Sequence, residues 1–244
     1  MSEGSKNAVQ RPMVYCRARI TKDEPLRYIS HLDYASLMQR AIRRAKISAA
    51  YSEGFNPHMK LSFASALSVG VTSGAEYMDL ELSEPMAEGE IAERLRPVLP
   101  EGVRLIALRV MTGKPKALMA LTDEAAYEIS VPLCGAFSEV QKAIDAFNAA
   151  KECTFLRRTP KKTREIEVRQ YICGNLRAEA AEDDLLRLTM AIRITPVGSV
   201  KPQEILTLLC EKFALPVHAE TALVHRSALL CGGKDLLSAG GSRP

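Results

Sequence analysis

Apolar and polar positions alternate over residues 14–20, with Val14, Cys16, Ala18 and Ile20 on one face and Arg17 and Arg19 on the other, which predicts a strand. The period then changes. Tyr34, Leu37, Met38, Ala41, Ile42 and Ala45 recur at helical spacing, opposite a polar face of Ser36, Gln39, Arg40, Arg43 and Arg44. Ser30 precedes this helix as an N-cap, and Asp33, three residues on, completes a capping box and complements the helix dipole. Gly54 and Asn56-Pro57 break the pattern. Strands are then predicted over 60–67, 76–82 and 103–110, with a helix over 88–99 before the last of them. Along 76–82, Met78, Leu80 and Leu82 face one way and Tyr77, Asp79 and Glu81 the other, so Glu76, Asp79, Glu81 and Glu84 read as a solvated edge.

The element order is βαββαβ, and the rest of the chain repeats it. Strands at 127–133, 185–194 and 217–230 and helices at 138–150 and 202–213 surround strand-like pieces at 154–158 and 165–172. The sequence therefore predicts an α+β protein of two tandem ferredoxin-like (βαββαβ) halves with antiparallel sheets. The first half spans residues 13–113 and the second 119–231, with a hinge at 113–118, a flexible arm at 1–12 and a flexible tail at 232–244. No residue-level repeat accompanies the repeated order, so the duplication rests on element order alone.

Composition narrows the class without naming a reaction. With 47% hydrophobic and 25% charged residues, the 244-residue chain reads as an ordinary globular protein. No apolar run approaches the roughly 18–20 residues of a membrane span, and residues 1–12 are polar, which predicts a cytoplasmic protein with no membrane partner. Six cysteines, at 16, 134, 153, 173, 210 and 231, include no close pair, so neither a metal knuckle nor an iron–sulfur cluster is expected, and no cofactor is called. They read as small apolar core residues. HExxH, GxSxG and strand-linked GxGxxG motifs are all missing, and Gly232-Gly233-Lys234 lacks the upstream glycine and following Ser or Thr of a phosphate loop.

Charge is more informative by position than in total. Residues 151–169 hold seven cations against three anions, a local excess that equals the formal net charge of +4 for the whole chain. Arg157, Arg158, Lys161, Lys162 and Arg164, with the helix residues Arg40, Arg43 and Arg44, are the candidate phosphate contacts; the competing reading is a solvated charged face. A second concentration lies at 51–60. Gly54 supplies backbone freedom and Pro57 holds Asn56 extended, while Tyr51 and Phe55 present aromatic faces beside Ser52, Asn56, His58 and Lys60. Aromatics among amides and cations suit a flipped base or a single-stranded nucleotide, although the same residues can build a rigid turn that plugs a core. Ser30, His31 and Asp33 open the helix beside this loop, and the positive end of the helix dipole favours neutral imidazole at His31.

The run Arg27-Tyr28-Ile29-Ser30-His31-Leu32-Asp33, the helix ending Arg43-Arg44, the Tyr51 to His58 loop and Leu61-Ser62-Phe63-Ala64 resemble the uncharacterised radical SAM-linked proteins. The resemblance is specific over residues 13–85 and looser at 165–172 and 197–202, where Glu167 replaces an expected aspartate. It implies a partner, a separate cobalamin-binding radical SAM enzyme, and no established activity. The sequence thus leads to a non-catalytic accessory protein that recruits RNA for such an enzyme. Two alternatives stand beside it. Tandem ferredoxin-like halves with a helix-borne histidine and a basic groove also resemble the CRISPR repeat-processing endoribonucleases, in which His31 or His58 would act as general base without a metal. The conspicuous loop would otherwise be a protein-docking surface.

Overall fold

The alternation at the start of the chain becomes β1 (Val14–Lys22), which lies antiparallel between β3 (Val71–Leu82) and β4 (Leu105–Thr112). The computed structural model describes residues 13–160, 162–182 and 184–239; the arm at 1–12, Lys161 and residues 240–244 of the tail lie outside them. α1 (His31–Arg44) starts where the sequence places it, because the Ser30 hydroxyl oxygen accepts from the Asp33 N–H at 3.1 Å. Tyr34, Met38, Ala41 and Ile42 bury its apolar stripe against Cys16, Ala18, Ile20, Met78 and Leu80, with Ile91 and Leu95 of α2 (Glu88–Leu95) closing the same core. β2 (Leu61–Phe63) pairs with β3 at Met78–Leu80.

The rest of the chain follows as α3 (Leu118–Leu121), β5 (Glu124–Pro132), α4 (Phe137–Ala149), β6 (Thr154–Thr159), β7 (Lys162–Glu167), β8 (Arg177–Ala180), β9 (Leu185–Arg193), α5 (Pro202–Phe213), β10 (Leu223–Cys231) and β11 (Lys234–Asp235). α4 and α5 pack over Ile129, Val131, Leu186 and Leu188.

Two separate antiparallel sheets do not form. One mixed sheet of nine strands runs β4-β1-β3-β10-β5-β9-β8, with β2 added on β3 and β11 on β10, and β6–β7 stands apart as a two-stranded ribbon. The join is a parallel pairing of Val71–Ser73 with Val224–Arg226; the other pairings are antiparallel. Each half lays its four strands in the order last, first, third, second, as β4-β1-β3-β2 and β10-β5-β9-β8, but the two sets share one sheet. Side-chain alternation tells which face of a strand is buried and says nothing about which strand lies at its edge. Residues 71–75, Val-Thr-Ser-Gly-Ala, carry no apolar alternation, so the β3 segment that makes the join is silent in the sequence.

The supposed carboxylate edge is also corrected. Asp79 is buried and accepts from Arg17 Nε at 2.7 Å and Nη2 at 2.8 Å. Arg17 also donates to the carbonyls of Lys116, Leu236 and Ala239. Glu76 pairs with Arg226, both fully buried, and Arg226 Nη1 donates to Ser65 Oγ at 2.6 Å. Residues 116–121 and 234–239 cross the face that carries the Arg17–Asp79 pair, with Leu118 and Leu236 buried there, whereas Glu76 lies on the opposite face of β3, the one that packs on α1. Gly232 and Gly233, both at positive φ, form the two-residue turn from β10 to β11.

Candidate nucleic-acid interface

Residues 51–60 form a fastened loop. Tyr51 and Met59 bridge at its neck, the Ser52 N–H donates to the His58 carbonyl at 2.8 Å, and the His58 N–H donates to Ser52 Oγ at 2.9 Å. Below the neck the Ala50 N–H donates to the Glu81 carbonyl and the Glu81 N–H to the Lys60 carbonyl, which extends the β2–β3 pairing. Gly54 sits at φ +117°, in the region that favours glycine, and directs the tip outward. Phe55 at that tip is fully exposed, and Asn56, Pro57 and His58 are exposed beside it. Only Met59 of this segment is buried, so the aromatics do not plug the core.

Cations frame the loop. Arg43 Nε lies 3.4 Å from the Tyr51 hydroxyl, Arg40 and Arg44 are exposed, and Arg44 donates to the Val98 carbonyl. Lys60 Nζ holds Glu81 at 2.7 Å, and the same carboxylate accepts from the Tyr15 hydroxyl at 2.8 Å. Burial of Glu81 would raise its pKa, but these two hydrogen bonds outweigh it and leave the carboxyl below its ordinary value. Burial and the bond to Glu81 push Tyr15 up to about 12. His31 is half-buried, with its ring edge-on to Phe63 at 5.3 Å, a packing contact, while the Asp33 carboxylate accepts from the Ser30 hydroxyl at 2.6 Å.

The basic segment is a hairpin, β6–β7, where the sequence predicts a loop. Phe155 and Ile166 pack its base on the second core. Arg157 is engaged: Nε and Nη2 each reach Glu204 at 2.6 Å, Nη2 also reaches the Ser199 carbonyl, and the Glu204 bond raises the guanidinium pKa. Arg158, Lys162 and Arg164 are exposed, and Lys161 lies outside the described residues.

Between the halves lies a feature that the motif search misses. Where β3 meets β10, Ser65–Val71 and Lys201–Gln203 line two adjoining cavities of about 540 and 270 Å³. The sequence signals were Gly198, at φ +138°, and Pro202 at the first turn of α5, both in a block noted only for its resemblance. Among the described residues, no three His, Cys, Asp or Glu side chains group as metal ligands, and no helix is long and apolar enough to cross a membrane. Burial pushes the thiols of Cys16, Cys153, Cys173 and Cys210 up, which keeps them protonated and weakly nucleophilic near neutral pH.

No curated protein matches the sequence. Among solved structures, a chain of "Crystal Structure of a Cbf5-Nop10-Gar1 Complex" aligns with a TM-score of 0.48 and 10% identity over 88% of this chain and 48% of that one. The alignment thus covers about half the length of that chain. A family model matches residues 16–202, from β1 through the block that opens α5, and on that extent the chain belongs to the family described as "Uncharacterized protein conserved in bacteria (DUF2344)".

Proposed function

We propose that the protein is a non-catalytic accessory factor that binds RNA and presents a nucleotide to a separate enzyme. The observation that carries this reading is Phe55: an aromatic ring fully exposed at the tip of a loop that is hydrogen-bonded into the sheet. A ring held out on a fixed loop is a stacking platform, because every base has a π-face. Asn56 and His58, exposed on the same loop, and Tyr51 at its neck add donors for base edges, while Lys60 at its base adds a cation paired with Glu81. The exposed cations of the β6–β7 hairpin supply the sequence-independent part of the affinity. The partner in this proposal is a cobalamin-binding radical SAM enzyme, and its support is the sequence resemblance over residues 13–85.

The test is retention of total cellular RNA by the purified protein across a salt series, with bound species sequenced. Steeply salt-dependent retention of a narrow RNA set is the expected result. An absence of binding at low salt, with the partner enzyme co-purifying at high salt, would replace RNA recognition with protein docking at the same loop.

A further inference from the structure

The nine-stranded sheet ends in two edges of different character. β8 is four residues long and exposes Arg177 and Glu179, which blunts it against strand addition. β4 is eight residues long, and Arg109 is its one charged residue. Main-chain groups of successive residues point to opposite sides of such a strand. The Gly113 N–H donates to the Met13 carbonyl at 2.7 Å, which turns Met111 and Arg109 toward β1 and leaves Leu108, Val110 and Thr112 facing away. The Val110 N–H agrees, since it donates to Glu88 Oε1 at 2.8 Å and not to β1. Among the described residues no strand pairs with this outer side, so the N–H groups of Leu108 and Thr112 and the carbonyls of all three residues are open.

The edge is only partly guarded. Arg109, the charge that would blunt it, donates from Nη1 to the Leu237 carbonyl at 3.3 Å. Ile106 is exposed, and Leu108, Val110 and Met111 are half-buried, so apolar side chains flank the open groups. Charge is uneven along the strand. At the Leu105 end Arg104 is paired with Asp23 at 2.9 Å, and Glu101 is exposed. At the Thr112 end Arg109, Lys114 and Lys116 are exposed and make no ion pair among the described residues. The two carboxylates nearby are engaged: Glu88 caps the Val110 N–H, and Glu81, within reach of the Lys114 charge, is held by Lys60 and Tyr15.

We infer that the outer side of β4 takes an extended acidic segment of a partner protein as an added strand, with its carboxylates toward the Thr112 end. Donors and acceptors that alternate at strand spacing select a polypeptide, because another main chain answers both. The three cations select an acidic one. They also disfavour a second copy, since pairing β4 antiparallel with itself over most of its length sets the two Arg109 side chains opposite or diagonal to each other. The inference does not rest on the nucleotide reading of the 51–60 loop.

The experiment is NMR titration and amide hydrogen exchange on the full chain with a peptide of alternating valine and glutamate, as long as β4. Two controls go with it: the same peptide with lysine in place of glutamate, and the same peptide with its main-chain amides N-methylated. The Leu108 and Thr112 amides are expected to exchange freely in the protein alone, to slow about tenfold or more with saturating valine–glutamate peptide, and to be unmoved by either control. Lys114→Gln with Lys116→Gln should weaken the peptide about fivefold, and Thr112→Pro, which removes an outer donor, should weaken it as well. Urea unfolding midpoints should match the parent, because these side chains are exposed. No protection by the valine–glutamate peptide, equal binding of the N-methylated one, or parent-like affinity in both variants would overturn strand addition at this edge. Slow exchange of Leu108 and Thr112 in the protein alone would overturn the acidic partner too, assigning the edge to a second copy where the protection rises with protein concentration and to residues 1–12 of the same chain where it does not.

Discussion

Between α1 and β2 the first half sends out residues 45–60, and between α4 and β8 the second half sends out residues 150–176. The two excursions hold corresponding places in the repeated strand order. They differ in how they are held and in what they expose. The first is stitched to β3 by main-chain hydrogen bonds through Ala50, Lys60 and Glu81 and ends in a bare aromatic ring. The second pairs with itself as β6–β7, leans on the core through Phe155 and Ile166, is tied by Arg157 to Glu204, and ends in cations. Under the proposed function, the same position in a strand order carries a stacking platform in the first half and a phosphate clamp in the second.

The largest effect should come from breaking the frame that both excursions share. Arg226→Leu leaves Glu76 buried without its partner, and urea unfolding should show a loss of about 3–5 kcal/mol. A loss under about 1 kcal/mol would mean that the join of the halves does not depend on this pair. Phe155→Ala should separate the excursions. It removes a half-buried plug, costs about 1–2 kcal/mol, and should speed amide exchange in β6–β7 while residues 51–60 keep the parent's protection. Equal loss of protection in both would refute the difference in how they are held.

Binding should separate them by chemistry. Lys162→Ala with Arg164→Ala is expected to weaken all RNAs alike and reduce the salt slope by about two. Phe55→Ala should weaken binding about tenfold with the slope unchanged. Matching slopes in the two variants would erase the distinction between clamp and platform.

The smallest effect concerns the base of the first excursion. Because the folded Glu81 carboxyl sits below its ordinary value of 4.5, its contribution to stability is present above that pH and fades as pH falls through the lower folded value. Lys60→Met should shrink this acid-side loss by about 0.2–1 kcal/mol, read from urea midpoints on either side of the window. A larger acid-side loss in the variant would reverse the assignment.

Much of this was legible in residue pattern. The stripe of Tyr34, Met38, Ala41 and Ile42 marked α1, Ser30 marked its start, and a helix over 202–213 was read where α5 forms, because local spacing and capping act within one turn of chain. The carboxylates of β3 were misread for a physical reason. Asp79 and Glu76 look solvated until Arg17 and Arg226, 62 and 150 residues away, neutralise them under cover. The two cavities where β3 meets β10 were illegible, since they are lined by side chains from opposite halves that no motif links.

The sequence by itself determined the main local elements and the two concentrations of aromatic, amide and basic side chains at 51–60 and 157–164, because each depends on neighbours within a few residues. Tertiary structure alone decided that the two repeated strand sets share one sheet through three parallel-paired residues on each side, Val71–Ser73 and Val224–Arg226. An edge strand's unpaired N–H and C=O groups accept any partner of suitable register, so only the packed chain chooses which strand satisfies them.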